Sequence, residues 1–186
     1  SCAPKKKKKR PLCLWRTVAL AEKSLCVIGL LQRASLVKLF IVRACMDTIA
    51  DTARYYGKEI ITDERLRERE KGTNGNGHDM LCKRWADLDC HEEGGESIHM
   101  VQARNVAALQ DILRANPDKN IVIGTHGTAL SSILNYYDAA FGCDDFWRIV
   151  DWMPYIIELD FDGTKLVGKT EHVHVYKEFH SKEPKK

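Results

Sequence analysis

A histidine that joins an apolar segment to a predicted helix is the residue of this sequence best suited to chemistry. His126 lies in IVIGTHGTALSSIL, in which residues 121–124 predict a buried strand and residues 128–137 a helix. Open α/β sheets bind ligands at the carboxyl ends of their strands, where this histidine would lie. Gly127 and Thr128, at the start of the helix, would present backbone N–H groups that suit a phosphate. A histidine that caps an ordinary strand–helix turn fits the same motif equally well.

Two further charged residues could take part in phosphate chemistry. Arg43 begins the segment RACMDT at the start of a predicted helix, and its guanidinium could hold a phosphate through two parallel hydrogen bonds. Glu68, in ERLREREKG, could protonate the alkoxide that leaves when a phosphate ester is cleaved. Each residue by itself also fits a simpler interpretation, a surface arginine and a glutamate in a solvated charged segment.

The elements that would position these residues alternate between helices and short apolar strands. Gly57 is the expected end of the first helix, Ser97 the expected N-cap of the second, and Asp162-Gly163 the expected turn of a β-hairpin. The pattern therefore predicts a layered α/β fold with an antiparallel hairpin at one edge. The predicted elements are helices at residues 44–56, 97–115 and 128–137 and strands at residues 59–61, 121–124, 155–161 and 165–168.

Four motifs in this order resemble the histidine phosphatase superfamily, whose fold is the phosphoglycerate-mutase-like fold. They are RACMDT from Arg43, LREREKG around Glu68, GGES at residues 94–97 followed by Gln102 and Arg104, and IGTHG around His126. The resemblance covers about residues 43–176. It implies a three-layer α/β/α sandwich.

The resemblance also implies an activity: hydrolysis of phosphomonoesters, or phosphoryl transfer, through a phosphohistidine. Small phosphorylated substrates are implied, and neither a metal nor an organic cofactor. By position, Arg43 and His126 would hold the phosphoryl oxygens and Glu68 would be the proton donor. The segments expected to carry substrate specificity are residues 71–90, which include a predicted loop at 71–79, and residues 138–153.

The family's nucleophile is missing from this sequence. The phosphohistidine of the family forms in an Arg-His-Gly motif near the start of the domain, whereas all seven histidines here follow residue 77 and no Arg-His-Gly occurs. Lys38-Leu39-Phe40 also replaces a Ser-rich segment that the family has before Arg43. Without a nucleophile, covalent transfer cannot occur, which leaves a catalytically inactive remnant that binds phosphate ligands as the alternative function. Residues 12–42 either replace the family's first strand and helix or come from a wrong reading frame.

The charge of the chain changes sign near residue 43, where the family motifs begin. Residues 1–43 hold eleven Lys and Arg against one acidic residue, whereas the rest carries a net charge of −7. Residues 1–11 predict a basic disordered tail, residues 12–180 a single domain, and residues 181–186 a second tail. The basic run lacks interleaved aromatic residues, so a nucleic-acid partner is not expected. Seven scattered cysteines without a CxxC motif indicate reduced thiols and a cytoplasmic location, and no membrane segment is expected.

One cluster of His and Glu could be mistaken for a metal site. His91, Glu92, Glu93, Glu96 and His99 lie close together in the sequence, but their spacing matches no HExxH helix and two glycines interrupt it. We therefore expect a solvated loop here and no bound metal.

Overall fold

The computed structural model describes most of the chain from residue 57 onward and four short stretches before it. The described residues are 10–16, 37–41, 50, 53–55, 57–73, 77–117, 119–150 and 152–176, with the backbone alone at 10–16, 37–41, 153–154 and 173–176. Arg43, most of the predicted helix at 44–56, and both predicted tails except residues 10 and 11 lie outside the described residues. Of the predicted helix, residues 50 and 53–55 are described and are helical, and Gly57 follows with a positive φ of 57°.

The described strands form one mixed sheet in the order β3-β2-β4-β1-β5-β6. Neighbours from β3 to β1 run parallel, whereas β5 pairs antiparallel with both β1 and β6. The strands are β1 (Arg10–Arg16), β2 (Val37–Ile41), β3 (Ile60–Thr62), β4 (Asn120–Thr125), β5 (Trp152–Asp162) and β6 (Lys165–Tyr176). This arrangement confirms the α/β class and the hairpin, whose turn contains Gly163 at a φ of 66°.

The sequence expectation for the first eleven residues is wrong at its boundary, because β1 begins at Arg10. Pro11 is tolerated inside β1 since it pairs only with Asp160 of β5, and pairing with β4 begins one residue later, at Leu12. Charge repulsion therefore does not keep Arg10 and Pro11 out of the sheet. Residues 12–42 supply most of β1 and all of β2, the two strands that flank β4.

After residue 57 four helices are described: α1 (His78–Ala86), α2 (Ile98–Ala115), α3 (Gly127–Tyr137) and α4 (Cys143–Val150). The predicted helices at 97–115 and 128–137 are confirmed to within one residue, and the Ser97 hydroxyl accepts a hydrogen bond from Met100 N at 3.1 Å as N-cap. The predicted loop at 71–79 is wrong at its end, because α1 begins at His78. A 3₁₀ turn, Glu64–Leu66, follows β3.

The hydrophobic core lies where α2 and α3 pack with the middle of the sheet. Ile121 and Ile123 of β4 are fully or almost fully buried, as are Leu109 of α2 and Leu130 of α3. Val122, which points to the opposite face of β4, is buried too, so this strand is covered on both sides. The apolar run at 121–124 thus predicts a central strand correctly, and the carboxyl end of that strand leads directly to His126.

Candidate active site

Two hydrogen bonds tie the segment around Glu68 to the turn between β4 and α3. The Thr125 hydroxyl donates to the Leu66 carbonyl at 3.0 Å, and the Thr128 N–H donates to Glu68 Oε2 at 3.1 Å. Glu68 and Thr128 are 60 residues apart in the sequence, so this contact depends on the folded chain. The structure therefore brings together two of the three predicted catalytic positions.

The Glu68 carboxylate lies at the amino-terminal end of α3. One oxygen accepts the Thr128 N–H, and the other accepts the Arg69 N–H at 2.7 Å. Backbone N–H groups in the first turn of a helix carry partial positive charge and bind anions. The carboxylate thus occupies a position that suits a phosphate oxygen, and at least one of the N–H groups predicted to bind phosphate is engaged by Glu68.

His126 is the N-cap residue of α3, with an extended backbone (φ −109°, ψ 178°). Its carbonyl accepts the helical hydrogen bond from Leu130 N at 2.9 Å, but its imidazole makes no capping bond. The side chain is half-buried, while Gly127 and Thr128 are buried. The capping role considered for this histidine is therefore carried by its backbone, and the ring is not needed to begin the helix.

Glu96 holds two arginines beside the Glu68 segment. Its carboxylate accepts hydrogen bonds from Arg67 at 2.7 and 3.1 Å and from Arg104 at 2.8 and 2.9 Å. It also accepts the Glu70 N–H at 2.9 Å. Burial by itself would raise the pKa of Glu96, but the hydrogen bonds from Arg104 and Arg67 outweigh it and lower the pKa to about 2. Glu96 is therefore an ionised anchor and not a solvated loop residue.

Arg104 connects this anchor to the backbone on both sides of the Glu68 position. Its guanidinium donates to the carbonyls of Arg65 at 2.8 Å, Arg67 at 2.7 Å and Glu68 at 3.0 Å. These bonds satisfy carbonyls within and just after the 3₁₀ turn Glu64–Leu66, so they fix the course of this segment. Sequence reasoning noted Arg104 and the GGES motif for their resemblance but missed the positioning role of both.

Two glycines allow the GGES loop to lie directly against the chain that follows Glu68. A side chain on Gly95 would place its Cβ 2.7 Å from the Gly72 nitrogen, and one on Gly72 would place its Cβ 2.7 Å from Glu92 Cβ. The Glu96 N–H donates to the Glu70 carbonyl at 3.1 Å in the same crossing. The close approach of the Gly72 backbone therefore explains why glycine is needed at residue 95, and the Glu92 side chain leaves no room for a Cβ at residue 72.

Glu92, expected in a solvated loop, is buried and forms an ion pair with the fully buried Arg84. The expectation fails because the carboxylate is paired with a buried guanidinium of α1 and packs against Gly72. His99, by contrast, is exposed and pairs with Asp89 at 2.8 Å. Across the part of the chain with described side chains, no three His, Cys, Asp or Glu residues are arranged to hold a metal ion.

A separate cavity of about 380 Å³ lies between α3, α4 and the β5–β6 hairpin. Its charged residues are paired with one another: Lys169 with Asp138 at 2.8 Å, and Arg148 with Glu171 at 2.9 Å. Glu68 and His126 do not line it.

Within the ranges that the structure describes, no helix combines the length and hydrophobicity that a membrane crossing needs.

Comparisons with solved structures identify the fold. The native structure of mycobacterial glucosyl-3-phosphoglycerate phosphatase is similar with a TM-score of 0.67 at 15% identity, over 89% of this chain and 98% of that one. The protein YhfR of Bacillus stearothermophilus gives 0.65 at 19% identity, over 84% and 94%. A mutant phosphoserine phosphatase from Entamoeba histolytica, in complex with phosphoserine, gives 0.63 at 16% identity, over 89% and 96%. These likenesses confirm the three-layer α/β/α, phosphoglycerate-mutase-like fold.

The family assignment comes from the sequence. No curated protein sequence matches the chain significantly. A family model, in contrast, matches residues 42–168, about two thirds of the chain and the part that contains all four motifs. The chain therefore belongs to the histidine phosphatase superfamily, branch 1.

Proposed function

We propose that this protein binds the phosphate group of small phosphomonoesters at the carboxyl end of β4, in a site of the histidine-phosphatase type. The observation that carries the proposal is the hydrogen bond from Thr128 N to Glu68 Oε2, because it joins an acid and a helix amino terminus beside His126. An acid, an anion-binding helix end and a histidine are the groups that cleavage of a phosphate ester requires in addition to a nucleophile. Two structural neighbours are named as phosphatases of small phosphorylated compounds, which supports the same substrate class.

The geometry suggests how phosphate and Glu68 share the site. An incoming phosphate would compete with the Glu68 carboxylate for the N–H groups at the start of α3, while Arg43 and His126 contact its remaining oxygens. Displacement would leave the Glu68 carboxyl beside the bound phosphate, where it could protonate the leaving alkoxide. Glu68 would thus occupy the anion position in the empty site and act as proton donor in the filled one.

The nucleophile is the part that this sequence does not supply. In the sheet, Arg16 at the end of β1 pairs with Thr125 at the end of β4. His126 follows Thr125, but the residues that follow Arg16 are Thr17 and Val18, where the family motif has histidine and glycine. We therefore propose that the chain, as its sequence stands, binds phosphomonoesters with little turnover. The predicted cytoplasmic location stays a prediction.

Binding of inorganic phosphate or vanadate, measured by titration calorimetry, tests the site. Replacing His126 with Ala should weaken binding by roughly 1–3 kcal/mol, the scale of a charge-assisted hydrogen bond. Glu68→Gln should strengthen binding several-fold, because it removes a negative charge that competes for the same N–H groups. His99→Ala, at an exposed histidine on α2, is the matched control and should change nothing. Unchanged affinity in both site variants would contradict the assignment.

Activity tests the missing nucleophile. Hydrolysis of a generic aryl phosphate should be close to background in the natural chain. The double variant Thr17→His/Val18→Gly, which restores Arg-His-Gly after β1, should form acid-labile phosphohistidine and gain turnover. Robust hydrolysis by the unmodified chain without detectable phosphohistidine, and abolished by Glu68→Gln, would refute this mechanism.

A further inference from the structure

Two cysteines from different helices lie with their sulfurs in contact. Cys82 is on α1 and Cys143 is the first residue of α4, and their Sγ atoms are 2.8 Å apart. Both side chains are partly buried, and both thiols are free. The contact joins positions 61 residues apart in the sequence, so it is a tertiary contact and not a consequence of local spacing.

We propose that Cys82 and Cys143 are an oxidative modification site that forms an intrachain disulfide. A disulfide has an S–S distance of about 2.05 Å, so the sulfurs need to approach by only roughly 0.75 Å. Each cysteine lies on a short helix at the edge of the core, where a shift of this size is easily accommodated. Cys90, also free and partly buried, has no such sulfur partner among the described contacts.

The surroundings give the two thiols different roles. Both ring nitrogens of His78, one turn before Cys82 on α1, lie 3.9 Å from Cys82 Sγ, so this imidazole can accept the Cys82 proton. Trp147 stacks on the His78 ring at 4.9 Å and holds it in place. Burial and the adjacent Cys82 raise the pKa of Cys143 to about 11, which keeps that thiol protonated. Cys82 is therefore the sulfur that reacts first, and Cys143 the one that resolves the product.

A peroxide is the oxidant that completes the chemistry. The Cys82 thiolate attacks one peroxide oxygen, the O–O bond breaks, and the sulfur becomes a sulfenic acid while the other oxygen leaves as hydroxide and takes up a proton. Cys143 Sγ then attacks the Cys82 sulfur, forms the S–S bond and displaces the sulfenic oxygen, which leaves as water with the Cys143 proton. Two thiols and one hydrogen peroxide thus give one disulfide and two waters.

The disulfide would join the two segments predicted to carry substrate specificity. Cys82 lies within residues 71–90, which contain α1, and Cys143 within residues 138–153, which contain α4. A bond between α1 and α4 would restrict their relative movement and constrain the unfolded chain between two positions 61 residues apart. Oxidation should therefore raise the thermal unfolding midpoint by about 10 °C, reversibly with dithiothreitol.

Peptide mapping tests the proposal on the full chain. After treatment with hydrogen peroxide, alkylation of the remaining thiols and digestion with trypsin, peptide 72–83 should be found joined to peptide 120–148, and dithiothreitol should separate them. Peptide 85–104, which carries Cys90, should be recovered alkylated. A dominant linkage of Cys82 or Cys143 to another cysteine, or recovery of both as alkylated thiols, would overturn the assignment.

Serine variants separate the cross-link from a general effect of oxidation. Cys82→Ser and Cys143→Ser should each abolish the linked peptide and the peroxide-induced rise in the unfolding midpoint, whereas Cys90→Ser should retain both. Cys143→Ser should in addition accumulate a sulfenic acid on Cys82 that dimedone labels, since the resolving thiol is gone. A midpoint that rises equally in the single variants at positions 82 and 143 would show that the stabilisation does not come from this bond.

Discussion

The ion pairs of Glu96 predict how the stability of this protein depends on pH. The carboxylate accepts hydrogen bonds from Arg67 and Arg104 and has a pKa lowered from 4.5 to about 2. A group whose pKa is lowered in the folded protein stabilises it above the unfolded pKa and ceases to do so as the pH falls through the folded pKa. The stabilisation should therefore be complete at pH 7 and decline from about pH 4.5 towards pH 2.

The size of the effect follows from the shift and from solvent exposure. A shift of this size corresponds to about 3 kcal/mol at neutral pH. The side chain of Glu96 is 16% exposed and that of Arg67 is 39% exposed, so solvent screens part of the interaction. We therefore expect Glu96→Gln, which keeps the shape but removes the charge, to lower the free energy of unfolding by roughly 1–2 kcal/mol at pH 7. More than half of that difference should be gone at pH 3.

Urea denaturation followed by tryptophan fluorescence at pH 7 and pH 3 measures the difference. The comparison between wild type and variant isolates Glu96, because the other carboxylates with lowered pKa values titrate equally in both proteins. Glu93→Gln, three residues away at an exposed site, is the matched control and should be nearly neutral at both pH values. A destabilisation by Glu96→Gln of equal size at pH 7 and pH 3 would refute the electrostatic argument and point to lost packing.

Three further predictions follow from the contacts around the site. Gly95→Ala should cost about 1–3 kcal/mol because its Cβ would meet the Gly72 backbone at 2.7 Å, whereas Gly142→Ala, whose Cβ has no neighbour closer than 3.9 Å, should be tolerated in the same denaturation assay. Thr125→Val removes the hydrogen bond to the Leu66 carbonyl, so it should lower stability by roughly 1 kcal/mol and weaken phosphate binding; unaltered binding would show that this bond does not position the site. No codons for residues 12–42 can give Arg-His-Gly in either other frame, so a shift of frame alone does not restore the family's first motif. Codons for residues 38–42, read one nucleotide later, do permit Ser-Tyr-Ser-Ser-Ser; if this region comes from a wrong frame, the encoding DNA should give that Ser-rich segment, and a DNA sequence without it would favour an authentic amino terminus.

The sequence predicts best those elements whose signals are local. Ser97 begins α2 because its hydroxyl caps the helix, and β4 is a strand because a short apolar run is buried on both faces. The short helices α1 and α4 were not predicted, since each has fewer than ten residues and so shows little more than two turns of helical periodicity. Their helical form depends on packing against the rest of the protein more than on periodicity.

The residues of the candidate site were likewise predicted from the sequence where local motifs mark them and missed where their roles depend on tertiary contacts. His126 and Glu68 were found from motifs, and the structure brings the Glu68 carboxylate to the start of the helix that follows His126. The roles of Glu96 and Arg104 were missed because ion pairs between a loop and a distant segment leave no pattern in the sequence. Arg43 lies outside the described residues, so its role stays a prediction.

The position of β1 has a consequence for how the chain acquires its structure during synthesis. This early strand lies between β4 and β5, and Arg10 pairs with Phe161 near the other end of the chain. Its partner strands β4 and β5 emerge from the ribosome only after most of the polypeptide has been made. Until then the backbone N–H and C=O groups of β1 have no strand to pair with. Such long-range pairing slows folding and favours chaperone binding to the nascent chain. A stalled synthesis product that ends before β4 should therefore remain sensitive to protease, whereas one that extends past β5 should become resistant.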